Sequence, residues 1–520
     1  MPSFDIIVIG AGVNGLAAAG RLAKAGKRVA LMEAGSSVGG AAVTQEFAPG
    51  FKVSRVAHLL NMLDTRIIEG LDLDDYGLRY AATNLSTTAL CKTGNHLSML
   101  GAAGEQLKGD IADADAVAWK ALRSQLMDFA DVLAPFKTMT PPRLALGTGN
   151  EFVKLARLGL KLRSLGRDRF REFLRMILIN VADVLDDELQ DDRLKGAIAF
   201  DTVLGAWLGP RSPNSLILYL NRLASEASGS KSGLALPAGG MGSVTESMAE
   251  AVRALGVEIH LNAPVKSVIV AEDRIRGVLL ENGAQISADT VMSAINPRTT
   301  FETLVGPAHL DTGLLRRSRA IRMRGGAAKL HLALTGAPDF RGADLRSRLL
   351  IAPSIRAVED AFNAVKYGEV PERPVTEVVI PSAFEEGLAP DGCHVLSAIV
   401  QFAPHAPKDG LDAARGKLLA NTLAVLEEQS PGIGQLVAHA ELLMPSDLEQ
   451  NFGLLGGNWH HGELAVERML FLRPLIGVSQ YATPLEGLWL AGSGSHPGGG
   501  VSGAAGWNAA ERFLASGGLK

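Results

Sequence analysis

Short apolar runs and amphipathic stretches alternate along this chain in an order that predicts its elements. Residues 4–9 are almost wholly apolar and lead straight into Gly10-Ala11-Gly12-Val13-Asn14-Gly15, followed by an alanine-rich stretch with apolar residues at helical spacing. A second apolar run, residues 28–32, ends on Glu33. These predict a strand, a glycine turn, a helix, a second strand and a terminal acid. Residues 71–230 read differently, as long helical patterns with few strand signals and acidic patches at Asp72-Asp74-Asp75 and Asp186-Asp187-Glu188. Near residue 233 the alternation returns. Leu236-Pro237-Ala238-Gly239-Gly240-Met241-Gly242 opens a predicted helix over 244–255, with strands at 257–261, 265–270, 275–280 and 285–286 and a buried strand at 290–294. The Asn282-Gly283 dipeptide between two apolar runs is a hairpin signal, because both residues tolerate the left-handed backbone of a tight turn. Residues 297–465 mix β-rich runs at 328–334, 376–380 and 394–402 with a long helix over 411–428. An apolar strand, a glycine-dense loop over 491–503 and a helix over 504–514 follow near the end.

The opening pattern carries chemistry. Strand, G-x-G-x-x-G, helix, strand and acid in that order form the dinucleotide-binding fingerprint. Gly10 permits the tight turn, Gly12 lets backbone approach a pyrophosphate, and Gly15 lets the helix pack close to the strand. Free N–H groups and the positive helix end, around Val13 and Asn14, suit phosphate. Glu33 is placed to accept hydrogen bonds from a ribose and to repel a 2′-phosphate. A second glycine turn, Ala34-Gly35-Ser36-Ser37-Val38-Gly39-Gly40, offers bare backbone again. No second copy of the fingerprint is present, because Gly239-Gly240-Met241-Gly242 lacks both the spacing and the acid.

Composition narrows the class. A chain of 520 residues, 47% hydrophobic, predicts two or more domains with ample core. A formal charge of −4 argues against general nucleic-acid binding. Cys91 and Cys393 stand far apart without a C-x-x-C, which excludes dithiol redox chemistry and a disulfide framework. The sequence has no apolar run of about 18 residues, and Met1-Pro2-Ser3 enters the first strand with no signal-peptide pattern. A cytoplasmic protein is expected. Peripheral membrane contact is suggested by one basic segment, with Lys154, Arg157, Lys161, Arg163, Arg167, Arg169, Arg171 and Arg175 interleaved with Phe152, Leu155, Leu158, Leu160, Leu162, Phe170, Phe173 and Leu174. Gly159 and Gly166 are expected to interrupt that helix.

Further motifs give the chain a family resemblance. They are Gly39-Gly40-Ala41-Ala42-Val43-Thr44, Pro49-Gly50-Phe51-Lys52-Val53-Ser54-Arg55, the turn at 237–242, Gly456-Gly457-Asn458, His461-Gly462-Glu463-Leu464, Leu472-Arg473-Pro474 and the loop over 492–503. In this order they resemble the phytoene desaturase-like family of FAD-dependent oxidoreductases, and within it the branch of pyridine-nucleotide-disulphide-oxidoreductase-domain proteins. The resemblance implies an α/β fold, a Rossmann-type FAD-binding domain of the glutathione-reductase and amine-oxidase kind, with a discontinuous α+β substrate domain. Residues 1–70, 231–296 and 466–520 would bind FAD, and residues 71–230 and 297–465 would bind substrate. Gly10, Gly12, Val13, Asn14, Gly15 and Glu33 would hold the ADP half. Gly39, Gly40, Ala41 and Ala42 would line the pyrophosphate and ribityl region, Val265 would meet the adenine, and Gly492, Ser493, Val501 and Ser502 would contact the pyrophosphate and isoalloxazine. The branch usually has arginine where Trp507 stands and proline where Ile476 stands, and related flavoenzymes carry a basic residue at Ala41.

The reaction implied is dehydrogenation, saturation or isomerisation of a hydrophobic substrate such as a polyene or lipid, with electrons passing to oxygen, a quinone or a protein. A flavin amine oxidase shares the plan and is the alternative, although aromatic residues make up only 5% of the chain. A flavin-stabilised regulatory protein with little turnover is the third reading, which the Ala41 and Trp507 departures leave open. His58 and His461 are the candidate catalytic residues. Arg55 and Arg473 are expected to pair with carboxylates or to orient an acidic substrate. His460-His461 with Glu463 looks superficially like a metal site, but adjacent histidines point apart, so no metal is expected.

Overall fold

The computed structural model describes residues 4–142 and 149–517. Strand β1 (Ile6–Ile9) is buried along its whole length and forms the middle of a five-stranded sheet. Its neighbours are β2 (Val29–Met32) on one side and β4 (Val291–Ser293) on the other. Strand β3 (Glu258–His260) lies beyond β2, and β5 (Leu488–Leu490) beyond β4, all in parallel register. The spatial order 3-2-1-4-5 is that of a doubly wound dinucleotide fold, with the point of reversal at β1. A parallel sheet is covered on both faces, and this is why its central strands β1 and β2 read as unbroken apolar runs, whereas the edge strand β3, Glu258-Ile259-His260, does not.

Helix α1 (Val13–Ala23) covers one face and is buried around most of its circumference. That is possible only because it is built of alanine and glycine. A Cβ at Gly20 would press on Leu71 and Val252, the latter on helix α2 (Met241–Ala254). Helix α3 (Ala504–Ala515) crosses α1 so closely that a Cβ at Gly506 would collide with the Asn14 carbonyl. The hairpins appear where the sequence places them: 265–271, 274–280 and 285–287 form an antiparallel three-stranded sheet, with Glu272 and Asp273 both at positive φ in the first turn.

A second sheet has eight strands. Its order is Val437–Leu443, Ala327–Leu334, His394–Gln401, Val375–Val379, Arg348–Ile351, Thr87–Ala89, Leu97–Leu100 and Gln106–Lys108. The last three lie in the stretch expected to be almost wholly helical. They are three or four residues long, too short to leave a periodic signal. Apart from further short strands at Tyr80–Ala82, Glu226–Ala227 and Ser230–Lys231, the regular structure described in that stretch is helical, and helices Asp113–Leu133, Asp192–Val203 and Leu216–Leu223 pack into one large core with the edge of this sheet.

The basic segment forms two helices, Gly149–Ser164 and Arg167–Leu178. Gly166 separates them with φ +79°, whereas Gly159 sits inside the first and does not break it, since one glycine costs a helix only about 1 kcal/mol. Leu160, Leu174 and Leu178 are exposed, while Phe173 is buried. Three of the described arginines are paired, Arg169 with Asp128, Arg171 with Asp168 and Arg175 with Glu172. The side chains of Phe152, Lys154, Leu155, Arg157 and Leu158 lie outside the described residues.

Candidate functional site

A cavity of about 950 Å³ runs from the carboxyl ends of β1, β2 and β4 to the face of the eight-stranded sheet. This is where open α/β sheets bind ligands, at the switch point of the strand order. Its first half is made of backbone. Gly10 leaves β1 at φ +94°, and Gly12 caps α1 with no side chain closing the helix end. A Cβ at Gly12 would meet nothing nearer than the Gly39 carbonyl at 4.0 Å, and one at Gly40 only the Gly12 Cα at 3.6 Å. At both positions a side chain would project into open space, so the two glycine turns leave a trough where a larger residue would fill it. Glu33 stands at the end of β2, its carboxylate fixed by the Ala11 N–H at 2.7 Å and the Gly35 N–H at 2.8 Å. A carboxylate has about four acceptor sites, so two remain for ribose hydroxyls. These residues fit a dinucleotide such as FAD.

The other glycine-rich helix start is closed. Met241 N–H donates to Ser54 Oγ and Gly242 N–H to Thr44 Oγ1, both at 2.9 Å, so protein hydroxyls fill the place a phosphate would take at the head of α2.

Gly10, Gly12, Val13, Asn14, Glu33, Gly39, Gly40, Ala41, Ala42, Val265, Ser493 and Val501 all lie on the cavity wall, as do His58 and His461. Gly15, Gly492 and Ser502 lie behind it. Gly15 touches the Gly10 carbonyl, which is the close helix–strand packing expected of it. Gly492 is pressed against the carbonyl of Ala294, and Ser502 is turned inward, its hydroxyl accepting from Ala504 N–H and its carbonyl from Asp64 N–H. Both pack against neighbouring backbone behind the wall. Asn14 joins both ends of the chain, donating to Ser493 Oγ at 3.0 Å and accepting from Gly506 N–H. Trp507 packs over Gly70 and donates to Glu511, away from the cavity wall.

The second half of the cavity contains a buried ionic network that sequence reasoning missed. Glu377 and Ile399 are paired in register, as are Ile399 and Lys329 and also Leu350 and Glu377. Directly paired residues share a sheet face, so Lys329, Ile399, Glu377 and, two positions from Leu350, Arg348 all point the same way. Arg348, with no exposed surface, binds both Glu377 and Asp201. His58, 4% exposed, donates from Nε2 to Glu377 Oε1 at 2.6 Å and lies 3.0 Å from Ser397 Oγ through Nδ1. The neighbouring guanidinium holds the buried Glu377 carboxyl well below the usual carboxylate range, and an ionised carboxylate only accepts. His58 therefore carries its proton on Nε2, and Ser397 donates to Nδ1. Burial, more than Lys329 nearby, lowers the imidazole to about 4. With both nitrogens engaged by protein, His58 is a positioning residue that fixes Glu377. Lys329 is wholly buried with no hydrogen-bond partner on Nζ, and burial pulls its amine well below the ordinary lysine value. The signal for this network was a charge in the middle of an otherwise apolar strand: Glu377 in 375–379, Lys329 in 327–334 and Arg348 in 348–351.

His461 differs from His58. It sits at φ +55° with Nδ1 unpartnered, and burial next to Arg473 lowers it to about 4. His460 accepts from Trp459 Nε1 at 3.0 Å and is lowered by burial to about 3. Among the described residues no cluster of His, Cys, Asp and Glu could hold a metal. Arg55 pairs with Glu441 at 2.8 Å, as expected. Arg473 does not pair with a carboxylate. It is buried and donates only to backbone carbonyls, those of His460, Gly462, Glu463, Arg468 and Ser493, tying the histidine loop to the end of the glycine-rich one.

A dinucleotide trough continuous with a second chamber is the plan of an FAD-dependent oxidoreductase. The chain belongs to the flavin containing amine oxidoreductase family, which it matches over residues 14–514, and FAD is its cofactor. It is 31% identical to pyridine nucleotide-disulfide oxidoreductase domain-containing protein 2 of Rattus norvegicus, over 98% of this chain and 93% of that protein. To the lycopene-forming phytoene desaturase of Pseudescherichia vulneris it is 25% identical, over 61% of each. In fold it is similar to an oxidoreductase from Methanosarcina mazei (TM-score 0.60, 17% identity, 98% of this chain and 99% of that one). It is likewise similar to cyclohexylamine oxidase from Brevibacterium oxydans (TM-score 0.59, 17% identity, 99% and 98%). Among the described residues no helix is long and apolar enough to cross a membrane.

Proposed function

We propose that this FAD-dependent oxidoreductase dehydrogenates, or in the reverse sense saturates or isomerises, a largely apolar small molecule, with oxygen, a quinone or a protein as electron acceptor. Bound FAD would supply the two-electron acceptor. One observation carries the reading. Beyond the glycine trough Val56, Leu59, Met62, Leu204, Leu218, Leu234, Ile399, Leu454 and Leu464 supply an apolar stretch of wall, set among polar groups that include Asn61, Asp201, Arg222 and Glu377. The apolar stretch holds a hydrocarbon body by area, at roughly 25 cal/mol per Å² buried. His461 is the catalytic candidate, because it alone of the two proposed histidines keeps a nitrogen without a protein partner. An imidazole lowered to about 4 is neutral at pH 7 and a weak base, which suits removal of hydride from an unactivated C–H bond better than abstraction of a proton.

An amine oxidase is the second reading, favoured by the family. Phe452 and Trp459 are the only Phe, Tyr or Trp side chains on the described wall, and both pack against Val56, Leu448 and Leu454 instead of facing one another as a cage. The test is anaerobic reduction. Holoenzyme mixed with a panel of lipids, carotenoids and amines should lose its oxidised-flavin absorbance with an apolar compound. Bleaching by amines alone overturns the proposal.

A further inference from the structure

Among the polar groups on this part of the wall, Arg222 suits a pure hydrocarbon least. Helix Leu216–Leu223 puts Leu218, Asn221 and Arg222 on one stripe, with Ser225 a turn further on, and all four line the cavity. Arg222 faces Asp201 through Nε at 3.5 Å, their side chains 17% and 16% exposed. That carboxylate is already held by Arg348, which also holds Glu377, and His58 takes the remaining Glu377 oxygen. Two guanidinium groups thus balance two carboxylates, and the two terminal nitrogens of Arg222 make no hydrogen bond to the described residues.

The position of Arg222 is equally specific. Asp201, Arg222 and Leu234 line the main cavity and also a side chamber of about 30 Å³ whose wall includes Tyr219 and Ser232. The side chamber is small, fit for a head group and not for a chain. A planar, permanently charged fork with terminal nitrogens free of protein acceptors matches the two oxygens of a carboxylate.

We infer that Arg222 is the head-group receptor of the substrate site, and that the substrate is an amphipathic monocarboxylic acid. Its carboxylate lies at the mouth of the side chamber and its apolar body extends past Leu218 and Leu234 toward the flavin trough. Arg348 also binds Asp201, so that carboxylate stays paired when the terminal nitrogens of Arg222 turn to the anion. This rests on the proposed function above.

The experiment measures binding of dodecanoic acid, methyl dodecanoate, dodecanol and dodecylamine to oxidised holoenzyme, followed by perturbation of the flavin absorbance and by thermal shift. The acid should bind about 10- to 100-fold more tightly than the ester or alcohol, the range a charge-assisted hydrogen-bonded pair supplies. Arg222→Gln should erase that preference while leaving ester binding and flavin content unchanged, and Arg222→Lys should retain part of it. Equal binding of acid and ester by the unmodified protein overturns the inference without need of a variant. An equal loss for acid and ester in Arg222→Gln overturns it too, since that marks a structural role. If alcohol and ester bind as well as acid, only the head-group assignment fails. If the amine alone binds, or none of the four does, the apolar-substrate reading fails with it.

Discussion

At Gly12 one hydrogen atom keeps the cofactor trough open. Its backbone is ordinary, φ −73° and ψ 176°, so a side chain there would be unstrained and would occupy the space the pyrophosphate needs. Gly12→Val should fold with near-native stability and bind FAD on the order of a hundredfold more weakly, about 3 kcal/mol. Titration of the flavin-free protein with FAD, beside urea unfolding, checks both parts. Gly10 makes the contrast, since its φ of +94° is itself a reason for glycine. Residues of this kind were legible in the sequence because spacing alone specifies them. His58 was legible as a candidate but not in its role. Only the fold shows that Glu377, 319 positions away, and Ser397 occupy both its nitrogens.

Among elements, the contact between α1 and α3 has the least tolerance. Gly506→Ala adds one methyl group where the Asn14 carbonyl already lies, and overpacking of this sort costs about 1–3 kcal/mol. The variant should lose that much stability to urea. It should also bind FAD more weakly, because relief of the clash displaces the first turn of α1. An unchanged flavin affinity would show that the two helix ends are not mechanically linked. Most of the parallel sheet could be read from the sequence because β1, β2 and β5 are short apolar runs. The hairpin Thr44–Ala48 with Phe51–Ser54 could not, since its first strand is half polar and exposed at Gln45 and Glu46. Strands 87–89, 97–100 and 106–108 were hidden by brevity. In the central strands of the large sheet, Lys329 and Glu377 are buried charges that interrupt an otherwise apolar pattern.

Over the whole molecule, buried histidines set the response to acid. Burial lowers His58, His461 and His496 to about 4 and His460 to about 3, from an ordinary 6.5. Between those limits the unfolded chain binds protons that the folded chain refuses. Stability is therefore full above about pH 6.5 and is lost as pH falls toward 4, at up to about 1.4 kcal/mol per pH unit for each histidine. Glu377, lowered by Arg348, adds the same sign of dependence below its unfolded value of 4.5. Thermal unfolding followed across this window should show the melting temperature dropping steadily, and His461→Gln should flatten the slope by one histidine's share. A melting temperature independent of pH over this range would mean that these rings are solvated.

The pairing of β5 with β4 and the seating of α3 on α1 also govern when the protein can first be loaded. Because Ser493 and Val501 share the trough with Gly12 and Gly40, segments more than 450 positions apart must dock before both of its flanks exist together. Tight flavin capture is thus expected to follow that docking, and refolding in the presence of FAD should show it as a late step.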